Sequence, residues 1–396
     1  MPTFSITDLP PEAACRESFL DGGIEVLSRS GLHPVERALL GVSARFAPAA
    51  RHLVTGNRTG VLPLALHSLA PSSSVVAHDF DLHHLRAVAR NLARNGMPQE
   101  DFPRTPFVQS TTPLALSCLD RLPDGPFDVA WLQASRRDTA AEVARAWLQA
   151  LHGALLEGGR CVVAVDGPIA WMQETMRGVF GKVSVLPPRD DASVLVARRA
   201  GGLRKRRSFS ATFEATLPDG QPAMTFTTIP GVFAHRRPDA GGLALAEVAA
   251  RRMGKVDRLL DLGCGCGLVG LLLARHAGHV ALVDSDARAF AATLANAEAN
   301  GLADRCTVVL DDEGFGGGSP FDVVVGNPPY YSDFAIAGRF IREAGEVLRP
   351  GGLAFMVAKN ARQHAEMLES SVGPCTIEHR RGYQVAVAVR RSDGPP

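Results

Sequence analysis

Residues 321–331 read Phe-Asp-Val-Val-Val-Gly-Asn-Pro-Pro-Tyr-Tyr, an apolar run that ends in an amide, two prolines and two aromatic rings. The side-chain oxygen of Asn327 is a hydrogen-bond acceptor, and the backbone carbonyl of Pro328 offers a second. Two such acceptors can hold both hydrogens of an amine. Proline fixes its own φ and restrains the residue before it, so Asn327-Pro328-Pro329 is a stiff frame. Tyr330 adds a flat face on which a base can stack, with Tyr331 beside it in sequence. The exocyclic amine of a base is a weak nucleophile, because its lone pair is delocalised into the ring. Acceptors aimed at its hydrogens hold it in line with an electrophile. They also favour the pyramidal geometry and the positive charge that develop on nitrogen. The proton leaves after attack, so no strong general base is required. Alone, the same residues could simply end a strand and pack.

A second motif supplies a candidate cofactor site. Asp261-Leu-Gly263-Cys-Gly265-Cys-Gly267 places glycines where a strand would turn sharply into a helix, giving close backbone access and amides aimed at a ligand. Such loops are shared by dinucleotide and adenosyl binders, so the loop by itself is a weak signal. Asp284 sharpens it, since it ends the next strand about 20 residues on, where a carboxylate can accept hydrogen bonds from ribose hydroxyls. Asp311 and Asp312 end a third strand, within reach of an adenine amino group. Helix capping is the competing role for these aspartates, and Asp286 fits it. A pyrophosphate prefers Gly-x-Gly-x-x-Gly, whereas S-adenosylmethionine has no phosphate and tolerates the shorter Gly-x-Gly-x-Gly. Over roughly residues 256–389 the chain resembles class I S-adenosylmethionine-dependent methyltransferases. The resemblance implies that Asp261, Gly263, Gly265, Gly267, Asp284 and Asn327 lie against the cofactor, with Asp311 or Asp312 near its adenine.

These motifs need a scaffold, and the pattern around them provides one. Strands are expected at 259–262, 280–283, 307–310, 321–325 and 353–357, with helices at 268–277, 287–300 and 336–348. Strands separated by such helices mean βαβ units and a parallel sheet. Arg349-Pro-Gly-Gly352 is expected to break the chain between the last helix and strand. The first half repeats this order. Val75-Val-Ala-His-Asp79 and its helix to Asn95-Gly96 match Val280-Ala-Leu-Val-Asp284 and its helix to Asn300-Gly301. Phe127-Asp-Val matches Phe321-Asp-Val, and Leu155-Leu-Glu-Gly-Gly159 matches the segment ending at Gly352. Shared spacing at several landmarks implies an internal duplication. The expected architecture is two tandem doubly wound α/β domains, at 1–203 and 204–396. Residues 212–228 alternate as a hairpin around Pro218-Asp-Gly220 at the start of the second.

The copies differ where chemistry would sit. Gly56-Asn-Arg-Thr-Gly60 stands for the glycine loop, with Arg58 in place of Gly265 and Val54 in place of Asp261. Gln133-Ala-Ser-Arg136 replaces Asn-Pro-Pro-Tyr. The first copy is therefore expected to lose the loop and the corner. It would be catalytically silent, and serve substrate binding or stability.

Bulk properties exclude several classes. Of the 396 residues, 46% are hydrophobic and 21% charged, with no apolar run of membrane-spanning length and no basic-then-apolar leader at the N-terminus. The seven cysteines lack zinc spacing, so no metal is expected, and a reduced, cytosolic protein is. A net charge of +1 gives no global attraction to nucleic acid. Local patches such as Arg204-Lys205-Arg206-Arg207 could still hold folded RNA.

Ile229-Pro-Gly-Val-Phe233, Arg237-Pro-Asp239-Ala-Gly241 and Val357-Ala-Lys-Asn360, together with the duplication, carry a closer resemblance. They are similar to the bacterial ribosomal RNA guanine-N2 methyltransferases of the small-subunit methyltransferase C type and their large-subunit relatives. The resemblance implies S-adenosylmethionine as cofactor and a guanosine of ribosomal RNA as substrate; a monomer is expected as the working form. Asn327, Pro328 and Tyr330 would be catalytic, and Tyr330, Tyr331 and Arg204–Arg207 would bind substrate. The family usually has Phe where Tyr330 stands; the tyrosine keeps the stacking face. Two alternatives stay open: a methyltransferase acting on adenine N6 or a glutamine amide, and a non-catalytic ribosome-assembly factor.

Overall fold

The structure, a computed structural model, describes residues 15–19, 23–28, 31–97, 99–111, 114–135, 139–188, 191–203, 205–316, 318, 320–329 and 334–392. The chain divides into two compact units, Met1–Phe209 and Ser210–Pro396. The basic run assigned above to the second domain lies in the first unit. Arg204 is outside the described residues, and Lys205, Arg206 and Arg207 are exposed. Two backbone bonds of 3.1 Å between Arg207 and the side chain of Gln149 tie the run there.

In the first unit a hairpin of β1 (Cys15–Phe19) and β2 (Ile24–Ser28) precedes α1 (Pro34–Phe46). Then follow β3 (Arg51–Thr55), α2 (Val61–Leu69), β4 (Ser74–His78), α3 (Leu82–Arg94), β5 (Phe107–Thr111), β6 (Leu114–Cys118) and β7 (Phe127–Ala134). The unit ends with α4 (Ala141–Ala154), β8 (Leu155–Asp166), α5 (Ala170–Phe180), β9 (Val183–Val185) and β10 (Ala192–Arg198). The sheet order is β5-β6-β4-β3-β7-β8-β10-β9.

The second unit repeats the plan. A hairpin of β11 (Ala211–Ala215) and β12 (Met224–Thr228) leads to α6 (Ala240–Met253). Next come β13 (Val256–Leu262), α7 (Leu268–Leu273), β14 (Ala277–Asp284), α8 (Ala287–Ala299), β15 (Cys306–Leu310) and β16 (Phe321–Gly326). After them stand α9 (Ala335–Val347), β17 (Leu348–Ala358), α10 (Arg362–Ser371), β18 (Cys375–Arg380) and β19 (Tyr383–Val389). The order β15-β14-β13-β16-β17-β19-β18 equals that of the first unit without its extra edge strand β5.

Both sheets are mixed rather than purely parallel. The expected strands pair in parallel, but β18 and β19 form an antiparallel hairpin that closes onto β17. Arg349–Gly352 does not separate β17 from α9 as a loop. It is a bulge within β17, between the pairs Phe321–Leu348 and Val323–Leu353, and the first unit has the same shift. α7 is shorter than expected and tightens into a 3-10 turn, Ala274–His276.

The strands of the second unit read as unbroken apolar runs because both sheet faces are covered. Leu259, Val323, Val325 and Phe355 pack on one face with Leu245 and Leu272. Leu260, Val324, Ala354 and Met356 pack on the other with Ile341 and Leu368. The first unit has its own core, including Leu53, Leu132, Leu148, Val163 and Met176. Among the described residues no helix is long and apolar enough to cross a membrane.

Candidate active site

Register brings the motifs of the second unit to one edge of its sheet. Leu262 of β13 pairs with both Val283 of β14 and Gly326 of β16. Asp284 pairs with Leu310 of β15. The residues that follow these strand ends are the glycine loop, Asp311 and Asn327. They lie beyond the carboxyl ends of adjacent strands, where strand order reverses between β13 and β16, the usual ligand crevice of an open α/β sheet.

The loop is held by three neighbours. Gly263, Gly265 and Gly267 have φ of 67°, 59° and 81°, a region that excludes most side chains. A Cβ on Gly263 would strike the Phe340 ring at 2.8 Å, and one on Gly267 would crowd Thr293 at 3.1 Å. A Cβ on Gly265 would meet nothing within 4 Å, so this residue is bare backbone facing open space, as a close-lying ligand requires. The Gly265 N–H donates to Asp284 Oδ2 at 2.8 Å, while Asp284 Oδ1 accepts from Asp286 N–H at 3.0 Å. Thr293, on α8, donates to the Gly265 carbonyl at 2.9 Å, and Asn296 to the Cys266 carbonyl at 2.9 Å.

Asp261 sits under the loop. It is 2% exposed, and its Oδ2 accepts the Gly270 N–H at 2.8 Å. The N-cap of α7 is Gly267, which has no side chain, so Asp261 caps the first turn from the neighbouring strand. Burial, reinforced by nearby Asp284 and opposed by the Gly270 bond, raises its pKa to about 7. Its place is structural, below the backbone that faces the crevice. Burial also pushes the Cys266 thiol up to about 12 and the Cys264 thiol well above its usual value. Both stay protonated at neutral pH, so neither is a thiolate nucleophile or ligand.

Asn327 is half-buried at the end of β16. Its Nδ2 donates to Asp239 Oδ2 at 2.9 Å. The same oxygen accepts the Gly242 N–H at 2.6 Å, capping α6. A carboxylate can only accept, so the amide must present nitrogen to Asp239 and turn its oxygen elsewhere. Asn327 Oδ1 is thereby fixed as an acceptor. Asp239 reaches this point through the segment after β12, where Ala234 and Arg236 take φ of 56° and 79° and Phe233 is 62% exposed. Arg288 fastens the segment, donating to the Pro230 carbonyl at 3.3 Å while paired with Asp286 at 2.6 Å. The Asp239 contact and the α8 ties are absent from the sequence reading, which saw Asp239 only as part of a motif.

Asp311 and Asp312 lie at the mouth, half-buried. Asp311 Oδ1 closes a turn onto Glu313 N–H at 2.9 Å, and the Asp312 carbonyl accepts from Arg339. Tyr330 and Tyr331 fall outside the described residues.

The first unit corrects one expectation. Its loop keeps the turn: Gly56 and Gly60 have φ of 73° and 80°, and Gly60 caps α2 as Gly267 caps α7. The difference is in the side chains, Asn57 to Thr59. The corner is lost for a backbone reason. Prolines end pairing after Gly326, whereas Gln133 and Ala134 keep their amides and β7 pairs on to Val165.

Comparison with known proteins places the second unit. The model of the methyltransferase small domain family matches residues 223–387. The ribosomal RNA small subunit methyltransferase C of Chromohalobacter salexigens is 37% identical over 175 residues, covering 42% of this chain and 52% of that protein. Its Pseudomonas entomophila counterpart is 31% identical over 192 residues, covering 46% and 55%. The chain thus spans about half the length of the curated relatives it matches. The solved T. thermophilus 16S rRNA N2 G1207 methyltransferase, in complex with AdoMet and guanosine, superposes with a TM-score of 0.74 at 22% identity. That match covers 97% of this chain and 100% of the other, and so extends over both units. The match to the methyltransferase small domain family thus falls on residues 223–387, within a two-unit fold that the chain shares with the solved T. thermophilus protein.

Proposed function

We propose that the chain is an S-adenosylmethionine-dependent methyltransferase acting on the exocyclic N2 amine of a guanosine in small-subunit ribosomal RNA, in the cytosol and as a monomer. The observation that carries this reading is Asn327, whose amide is turned by Asp239 so that Oδ1 is an acceptor. It stands one strand away from the bare Gly265 backbone and two strands from Asp284. Bound there, S-adenosylmethionine supplies an electrophilic methyl group. The fit lies in the chain's own groups. Gly263, Gly265 and Gly267 form the turn that lays backbone against the ligand, with Gly265 leaving the room for it, Asp284 accepts from ribose hydroxyls, and Asp311 or Asp312 lies toward the adenine. Asn327 Oδ1 and the Pro328 carbonyl hold the two amine hydrogens, which orients the nitrogen lone pair and stabilises the charge that forms on it. Tyr330 stacks the base, and the proton departs to water. The named relatives are methyltransferases of the small ribosomal subunit, which supports RNA as the substrate. We assign the first unit to RNA binding and stability rather than to methyl transfer.

Asn327→Ala is expected to abolish tritium transfer from S-adenosylmethionine to ribosomal RNA, while calorimetry still detects adenosylhomocysteine binding. Near-normal turnover in that variant would remove Asn327 from the mechanism. Mass spectrometry of digested ribosomal RNA from a deletion strain should lack one N2-methylguanosine. Loss of an N6-methyladenosine instead would redirect the substrate assignment.

A further inference from the structure

The first unit contains a cavity of about 480 Å³ beside its own glycine loop, between the chain that follows β2 and helix α3. It meets that loop through Arg58 and Thr59 and runs along one face of α3. Its lining carries positive charge. Arg37 comes from α1, Arg58 from the loop, and His84, Arg90 and Arg94 from α3. Aligned from Asp81 with Asp286, these three α3 positions are alanines in α8: Ala289, Ala295 and Ala299.

Several features show a cavity built around positive charge. Arg90 and Arg94 stand four residues apart on α3, and so on one helix face. Arg37 is anchored at 2.5 Å to the Leu32 carbonyl, which fixes its stem at the cavity wall. His84 lies 3.3 Å from Asp79, the position that corresponds to Asp284. Desolvation would lower the pKa of His84, but the Asp79 carboxylate outweighs it and raises it to about 9, so the ring is protonated at neutral pH. Among the described residues the carboxyl on the lining is Glu36, 1% exposed, and Glu17 stands at its edge, where it accepts the Leu32 N–H at 2.9 Å. Glu36 accepts bonds from Thr59 N–H at 3.0 Å and Thr59 Oγ1 at 2.7 Å, and burial raises its pKa toward the neutral form. Asp81 caps α3 through His83 N–H at 2.9 Å. Such a lining repels a sulfonium cofactor. An anion is drawn in, and the volume matches a nucleotide-sized ligand.

We propose that this cavity is a phosphate-binding subsite that grips the RNA substrate by its backbone, with Arg90 and Arg94 as the principal contacts. The inference rests on the reading of the chain as an RNA enzyme. It gives the first unit a use of its own, with a surface beside its glycine loop taking the polyanion.

The test is Arg90→Gln combined with Arg94→Gln in the full chain. Both residues lie on the outer part of α3, and glutamine keeps helix propensity. A short single-stranded RNA should bind about tenfold more weakly. The slope of log Kd against log salt should shrink by about 1.4, at roughly 0.7 per phosphate contact on single strands. The first unit's thermal transition and the adenosylhomocysteine affinity should both stay in place, which shows that both units of the variant are folded. Inorganic pyrophosphate should compete with the RNA on the parent protein and lose that effect in the variant. Unchanged RNA affinity and slope would overturn the proposal. So would a variant that loses adenosine monophosphate binding but keeps RNA affinity, since the cavity would then serve a free nucleotide. If the parent protein transfers no methyl group yet its RNA binding still depends on the two arginines, the catalytic reading fails and the subsite stands.

Discussion

At the scale of single residues, the site depends on one carboxylate oxygen that serves two structures. Asp239 Oδ2 caps α6 through Gly242 and turns the Asn327 amide. The helix cap and the orientation of the catalytic acceptor are therefore coupled. Asp239→Ala should cost about 1 kcal/mol of stability through the lost cap. It should also lower the single-turnover rate about a hundredfold, the scale expected for misplacing a reacting group. Cofactor affinity should stay near that of the parent. Asp239→Asn keeps an oxygen that can accept from both neighbours and should recover most of the stability and part of the rate. Urea denaturation and single-turnover transfer separate the two effects, and an alanine variant that loses stability but not rate would reduce Asp239 to a cap. The glycines, Asp284 and Asn327 were legible in the sequence because each sits in a short motif whose local backbone explains it. Asp239 was not, because its partner is 88 positions away and only folding brings them together.

At the scale of elements, each hairpin is clamped to a helix by a pair of asparagines. Asn296 of α8 bonds both the N–H and the carbonyl of Thr227, at 2.8 and 3.0 Å, and reaches the Cys266 carbonyl. Asn300 does the same for Thr225, at 3.2 and 2.9 Å. In the first unit Asn91 bonds Leu27 and the Thr59 carbonyl, and Asn95 bonds Glu25. A side-chain amide has the right inventory for this, since it can mimic the edge of a strand. The sequence showed Asn-Gly at both helix ends and suggested only a stop signal; the hairpin partners are remote, so the second use stayed hidden. Asn296→Ala strands three backbone groups, Thr227 N–H, its carbonyl and that of Cys266. The Thr227 bonds are part-buried and the Cys266 bond is buried, so a loss of about 1–3 kcal/mol, the scale for one buried group left without a partner, is expected. Because the Cys266 carbonyl belongs to the glycine loop, adenosylhomocysteine should also bind more weakly, even after correction for the unfolded fraction. A variant with parental affinity at low denaturant would mean that the loop does not need α8.

At the scale of the whole molecule, the duplication separates fold from chemistry. The strand orders agree, the bulges recur at Phe127 and Phe321, and glycine turns cap α2 and α7 alike. The repeat was readable because spacing survives wherever the backbone needs a particular turn. Basic residues on α3 where α8 has alanine were not read as a feature, since a charge pattern on a helix surface has no backbone signature. Each unit buries a separate core, one around Leu53 and Leu148, the other around Leu259 and Phe355. Each core can therefore melt as a cooperative event of its own, and a ligand should shift only the unit that binds it. In scanning calorimetry of the full chain, adenosylhomocysteine at a hundred times its Kd should stabilise one transition by about 2.7 kcal/mol. The other should not move, and Asn327→Ala should leave this pattern intact. Pyrophosphate should act on the second transition instead and lose its effect with Arg90→Gln and Arg94→Gln. A single transition shifted by both ligands would mean that the two units unfold as one, and the division of labour between them would have to be tested by binding alone.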